Sequence, residues 1–287
     1  MGESLGVVQR VQEILEASGV CQSAFLDVKA NPTTSIVNEA TARFRESGAS
    51  MMIALGGGGP TDVAKAVGVL VKHGGSILDY AGKNKVPGPI VPYIAIPTTA
   101  GAGSEATATL VITDEAQNYK FGAFSYELFP QYAILDPELI MTAPPSLAAA
   151  CGVDALIHAM EAYLSLNATP FSDAMAEKAM ELIGANLRRF VANRQDEEAA
   201  CAMMLGSNFA GFAFAWAGLG VVHAMSHPVG GYFNVAHGLA NSIILPVVFA
   251  YNALADHGRY KKIYSYIRKE QGPIDHFSPE MLVEEIK

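Results

Sequence analysis

"MMIALGGGGPTDVAKAVGVLVKHG", Met51–Gly74, decides the fold. Its first five residues are an uninterrupted apolar run, as expected of a parallel strand covered on both faces. "TDVAKAVGVLVKHG" then repeats its apolar residues at helical spacing. Gly56–Gly59 join the two, and Pro60 suits a first helical turn. Glycines without Cβ atoms let a ligand come close to the backbone, and the helix start offers free N–H groups and a positive dipole end. An anion such as a pyrophosphate belongs there. The stretch is neither G-x-G-x-x-G nor a Walker A loop. An ordinary strand-to-helix turn does not account for four successive glycines, each of which forfeits conformational entropy on folding.

Working outward, strands and helices alternate. "LGVVQRVQEILEASG" reads as a helix stopped at Gly19, "SAFLDV" as a short strand, Asn31-Pro32-Thr33 as a turn and "SIVNEATARFRESG" as a second helix. "YIAIP", "ATATLVIT" and "YAILD" read as further strands. This alternation implies a parallel sheet with right-handed crossovers. A second small-residue loop, "IPTTAGAGSEAT" (Ile96–Thr107), follows a strand, with Thr98, Thr99, Ser104 and Thr107 as hydroxyl donors. Two such loops at neighbouring strand ends fit the rule that open α/β sheets bind ligands at their carboxyl ends. Lys120 stands where it can reach a phosphate or ribose, or else serves as a solvated surface lysine.

From Ser146 the chain reads as helix after helix, beginning with "SLAAACGVDALIHAMEAYLS" and "PFSDAMAEKAMELIGANLRRFVAN". The expectation is an α/β dinucleotide-binding domain over 1–145 and an all-α domain over 146–287. Hydrophobic content of 51% against 16% charged residues allows a large core and excludes disorder. A net charge of −9 with no basic run argues against a nucleic-acid surface. Three cysteines without C-x-x-C spacing fit a reducing, cytoplasmic compartment and exclude a disulfide framework. The opening "MGESLGVVQRVQ" lacks the apolar core of a signal peptide. Ala199–Val222 carries no formal charge and is long enough to span a bilayer, but its glycines favour a buried helix with a glycine break over a membrane partner. Met203, Met204, Phe209, Phe212, Phe214 and Trp216 read as packing residues, with a substrate-pocket wall as the alternative.

Two clusters carry the metal chemistry. In "CGVDALIHAMEAYLS" Asp154 and His158 are four apart and share a helical face. "VVHAMSHPVGGYFNVAHGLANS" holds His223, His227 and His237. A carboxylate with imidazoles suits a divalent iron, zinc or manganese ion held as a Lewis acid. The residues alone do not separate His223 from His227.

Taken together, "NPT", "ALGGGGPTDVAKA", "IPTTAGAGSEAT", "CGVDALIHAMEAYLS" and "HAMSHPVGGYFNVAHGLANSIILP" resemble the iron-containing (group III) alcohol dehydrogenases, in order and over nearly the whole chain. The resemblance is nearest to the lactaldehyde reductase and butanol dehydrogenase type. It implies a fold similar to dehydroquinate synthase. It implies Asp154, His158, His223 and His237 as metal ligands, and His227 as a catalytic histidine near nicotinamide and substrate. Gly58 and Gly59 match the pyrophosphate loop, and Asn31, Thr98, Thr99, Thr107 and Lys120 match positions lining the cofactor site. The implied cofactors are a divalent metal, Fe2+ ahead of Zn2+ or Mn2+, and NAD(H) or NADP(H).

Departures from the family pattern stand beside these matches. Gly59 replaces a usual serine and Ala102 a usual threonine, which removes two hydroxyls from the loops. The family's first strand and last helices are also expected to be missing, so that the chain reads as truncated at both ends. The implied activity is hydride transfer between NAD(P) and a small alcohol, aldehyde or ketone, in a homodimer or larger homo-oligomer. A glycerol dehydrogenase- or maleylacetate reductase-like enzyme and a non-catalytic truncated homologue are the alternatives.

Overall fold

The computed structural model describes residues 6–233, 235–270 and 272–287; the start of the stretch read for a signal peptide lies outside them. The chain divides into two compact units, residues 1–99 with 104–142, and residues 100–103 with 143–287.

In the first unit, helices α1 (Val7–Ala17) and α2 (Thr34–Ser47) precede strand β1 (Met52–Gly56) and helix α3 (Gly58–His73). Strands β2 (Gly82–Lys83), β3 (Tyr93–Pro97), β4 (Thr109–Asp114), β5 (Tyr119–Phe124) and β6 (Tyr132–Ala133) follow, then the short helix α4 (Glu138–Met141). β1, β3 and β6 form a parallel sheet in that order, with Met52 opposite Tyr93 and Ile94 opposite Tyr132. The core joins Val63, Val67, Leu70, Tyr93, Leu110, Ile112 and Leu128. Tyr93 is fully buried and its hydroxyl donates to the Leu128 carbonyl at 2.8 Å, so its polar end is satisfied.

Two expectations fail here. "SAFLDV" forms no ladder; Phe25 and Val28 pack against the core, but no strand among the described residues pairs with the segment. The strands also do not all join the parallel sheet, because β4 and β5 pair antiparallel and form, with β2, a separate three-stranded sheet. Only Glu115–Asn118 separate β4 from β5, too short a connection for a parallel crossover, and Asn118 takes a positive φ of 48° in the turn.

The second unit is helical: α5 (Pro145–Leu164), α6 (Pro170–Ala192), α7 (Glu197–Ala217), α8 (Val221–Phe233), α9 (His237–Asn252), α10 (Arg259–Ile267) and α11 (Pro279–Glu285). Thr169 caps α6 in a reciprocal pair with Ser172, and Asp196 caps α7 by accepting from the Ala199 N–H. Arg259 at the start of α10 donates two hydrogen bonds to Asp173, at 2.9 and 2.8 Å, tying α10 to α6. α5, α7 and the segment His237–Ala255 are long and apolar enough to cross a membrane by length and composition, and α7 ends where Gly218 takes a φ of 79°. α8 runs through Pro228. The helix forgoes one backbone hydrogen bond there.

Candidate functional site

Three helices of the second unit converge on one polar cluster. α5 supplies Asp154, His158 and Glu161, α8 supplies His223 and His227, and α9 supplies His237 and Asn241. Gly238 explains how closely α9 approaches α5. A Cβ there would lie 2.2 Å from the Ala150 carbonyl oxygen, so only glycine seats the first turn of α9.

Asp154, His158, His223 and His237 each present one ligand atom, and these atoms lie within 4.8 Å of one another. The Nε2 atoms of His237, His223 and His158 stand 3.5, 3.6 and 3.9 Å from Asp154 Oδ1. Ligand atoms at about 2.0–2.2 Å around one tetrahedral ion are roughly 3.3–3.6 Å apart, a spacing that the distances from Asp154 Oδ1 approach and that the 4.8 Å bound on the whole set exceeds. Two polar atoms in the cluster, His158 Nδ1 and Asn241 Oδ1, are buried without a hydrogen-bond partner among the described residues. The side chain of His237 is 32% exposed against 8% or less for the other three, so access is on its side.

Electrostatics in the metal-free chain pull neighbours in opposite directions. Burial alone would raise the Asp154 carboxyl, but His158, His223 and His237 outweigh it and hold it well below the carboxylate range. Burial pushes His158 down to about 3. It would push His223 down too, but the hydrogen bonds its ring donates to Asp154 and Glu161 carry that imidazole up to about 9. These two rings stack at 4.5 Å between centroids, and Phe214 covers His158 at the same distance. A dication would answer this conflict by taking the place of protons on the imidazole nitrogens.

His227, one helical turn past His223, is half-buried, with its ring centroid 6.0 Å from that of His223 and 5.3 Å from that of His237. It stands beside the four-residue set and outside it.

The first unit holds the glycine loop and, apart from residues 100–103, the loop after β3. Gly57 precedes α3, whose start has no side-chain cap, and a Cβ on Gly57 would meet Thr99 Oγ1 at 3.0 Å. The Thr98 N–H donates to the Gly56 carbonyl at 3.0 Å, so the ends of β1 and β3 are joined. Gly58 and Gly59 form the first turn of α3. Asn31, at a φ of 55°, accepts from Lys120 Nζ at 2.9 Å, which brings together two residues 89 apart in sequence. Burial lowers the Lys120 pKa. Thr107 is buried and its hydroxyl accepts from Lys65 at 3.0 Å, so it supports the loop from within.

Sequence reasoning missed Lys65, Asp62, Glu161 and Asn241. Lys65 is wholly buried and donates to Ser104 O, Ser104 Oγ, Thr107 Oγ1 and Thr109 O at 2.7–3.0 Å. Asp62 accepts from Ser104 Oγ at 2.7 Å and from the Val111 N–H at 3.1 Å. Burial brings Lys65 down to about 8 against the opposing pull of Asp62 and Glu105. Glu161 accepts from His223 Nδ1 at 2.6 Å, and Asn241 Nδ2 donates to Asp154 Oδ1 at 2.7 Å. One signal was available: Glu161 and Asn241 each lie a helical turn past a ligand-type histidine, and Asp62 and Lys65 are three apart on α3.

A dinucleotide-type α/β unit with an all-helical unit bearing an Asp/His3 cluster defines a metal- and nicotinamide-dependent oxidoreductase. Residues 1–137 match the family model described as iron-containing alcohol dehydrogenase, and residues 148–281 match that of the Fe-containing alcohol dehydrogenase family, C-terminal. The chain belongs to the iron-containing alcohol dehydrogenase family. It is 41% identical to the NAD-dependent methanol dehydrogenase of Bacillus methanolicus over 260 residues, 91% of this chain and 68% of that protein. It is 41% identical to the lactaldehyde reductase of Escherichia coli K12, covering 90% of this chain and 68% of that one. Solved structures of a 1,3-propanediol oxidoreductase (TM-score 0.92, 36% identity, 98% of this chain and 73% of the other) and of an alcohol dehydrogenase from Oenococcus oeni (0.93, 34%, 98% and 74%) share the fold.

Proposed function

We propose that this chain interconverts a small alcohol and its aldehyde or ketone, using NAD(H) or NADP(H) and one divalent ion held by Asp154, His158, His223 and His237. The observation that carries the reading is the convergence of those four ligand atoms from three helices. When bound, the ion, iron ahead of zinc or manganese, would supply Lewis acidity at the substrate oxygen, and the nicotinamide would supply the hydride acceptor or donor. Asp154 is the one anionic ligand of the four, and Glu161, ionised behind His223, adds a second negative charge, so that a dication would be balanced within the cluster and would act on the substrate oxygen through its Lewis acidity. His227, half-buried one turn from His223, acts as the proton carrier: in alcohol oxidation it takes the hydroxyl proton and passes it to solvent. Gly58 and Gly59 present the start of α3 to the cofactor pyrophosphate, and Asn31, Thr98, Thr99 and Lys120 line the remainder, with Thr107 supporting them.

Names of relatives support short alcohols, diols and hydroxyaldehydes as the substrate class. A cytoplasmic enzyme is the matching location. Leu239, Ile243, Val247, Tyr251 and Leu254 form an exposed apolar row along α9 and the turn after it, which supports a homo-oligomer. A screen of C1–C4 alcohols, 1,2- and 1,3-diols, glycerol and their aldehydes, with each coenzyme and each metal, tests the activity. Metal-dependent turnover of an alcohol or aldehyde supports it; coenzyme binding with no turnover of any member contradicts it.

A further inference from the structure

Glu161 belongs to none of the ligand positions, yet its carboxylate is one of the most committed groups in the helical unit. It is 4% exposed and sits on α5, three residues after His158 and seven after Asp154, on the same face. Oε1 accepts from the Val222 N–H at 2.7 Å. Oε2 accepts from His223 Nδ1 at 2.6 Å and more weakly from the His223 N–H at 3.4 Å. Gly220 leaves the space for it, since a Cβ at that position would lie 2.7 Å from Oε1. The carboxylate thus closes the first turn of α8 and grips the side chain of the histidine on that turn.

We infer that Glu161 is the positioning residue of the metal centre: by accepting the His223 Nδ1 proton it fixes the imidazole so that Nε2 is the nitrogen turned to the ion. The inference rests on the reading that Asp154, His158, His223 and His237 bind a metal. An ionised carboxylate only accepts hydrogen bonds, so the nitrogen facing it must carry a proton. His223 Nε2 then faces Asp154 Oδ1 at 3.6 Å, on the side of the cluster. The carboxylate also raises the basicity of the ring as a ligand, and such partners are commonly worth about 10–100-fold in metal affinity.

Glutamine separates this role from simple helix capping. Its amide has one accepting oxygen and one donating nitrogen in place of two oxygens. With the oxygen toward Val222, the α8 cap survives, but the amide N–H2 faces His223 Nδ1 and favours the tautomer with its proton on Nε2. With the oxygen toward His223, the Nδ1 contact survives and the cap is lost. The variant satisfies one partner or the other, never both.

The experiment compares wild type, Glu161→Gln and Glu161→Ala as full chains. Zn2+ and Co2+ dissociation constants are measured by competition with a chromophoric chelator at one pH, beside thermal unfolding of the metal-free proteins. Proton–nitrogen NMR of the zinc-loaded proteins follows the His223 ring. The expected result is a 10–100-fold weaker Zn2+ and Co2+ affinity in both variants. It includes a far-downfield His223 Nδ1 proton in wild type that moves upfield or vanishes in Glu161→Gln. Unchanged affinity in both variants, even with a lower unfolding midpoint, reduces Glu161 to a helix cap and overturns the inference. Failure of the wild type itself to bind either ion overturns the metal-site reading and this inference together.

Discussion

Each unit buries a knot of charged and polar side chains, and the two knots are finished differently. In the α/β unit, Lys65 places its ammonium among four acceptors, and Asp62 is answered by Ser104 and the Val111 N–H. In the helical unit, Asp154 is ringed by three imidazole Nε2 atoms, one of its neighbours is pushed up in pKa and another down, and two buried polar atoms find no partner. Protein alone completes the first knot, and it fixes the loop after β3. The second leaves those two atoms unanswered among the described residues, and we propose that a cation completes the ring around Asp154. Satisfaction of buried groups therefore separates a structural knot from a binding site more sharply than residue type does.

The largest expected effect tests the finished knot. Lys65→Met keeps the length of the stem but leaves four acceptors and Asp62 facing an apolar end. Urea unfolding should show a loss of about 3–5 kcal/mol, the usual result of removing one partner of a buried charged group. A loss under about 1 kcal/mol would mean that water replaces Lys65 and the two knots are alike.

The unfinished knot should gain from its missing cation. At a free metal concentration about 100 times its dissociation constant, the folded state gains about 2.7 kcal/mol, seen as a raised unfolding midpoint that chelator reverses. Asp154→Asn should abolish the rise. An equal rise in wild type and in Asp154→Asn would place the stabilising ion elsewhere.

A smaller effect is expected at the cofactor loop. Gly58→Val puts a branched side chain in the first turn of α3, where the pyrophosphate is proposed to sit. Coenzyme affinity measured by NADH fluorescence should fall at least tenfold, about 1.4 kcal/mol. Unchanged affinity in a folded variant would sink that placement.

What the sequence made readable was local. The unbroken apolar runs of β1 and β3 and the helical spacing of α2, α3, α5 and α6 each carry their signal within one segment. "SAFLDV" misled because alternation alone does not provide a partner strand. β5, "YKFGAF", was missed because a glycine and a lysine interrupt its apolar pattern, and its strand state comes from pairing with β4. The metal-ligand types were legible as Asp154-x3-His158 and the later histidines. Glu161 and Asn241 were not, because what gives them meaning lies 62 and 87 residues away in sequence. Lys65 looked like an amphipathic helix position until its partners, 39–44 residues on, came into place.

The smallest effect is a pH dependence that marks the finished knot alone. An unfolded lysine keeps its proton to about 10.5, whereas folded Lys65 releases it near 8. Between those values the unfolded chain binds more protons, so the Lys65 contribution rises with pH, by at most about 1.4 kcal/mol per pH unit. Stability of wild type minus that of Lys65→Met, measured from pH 7.5 to 10, should therefore climb. A flat or falling difference would show that Lys65 is not desolvated.

The most direct test of the account counts metal. Wild type, His237→Ala and His227→Ala are loaded with Fe2+ or Zn2+, dialysed and assayed for metal per chain. The account predicts one ion in wild type and in His227→Ala, and none in His237→Ala. Full metal in His237→Ala together with its loss from His227→Ala would contradict it.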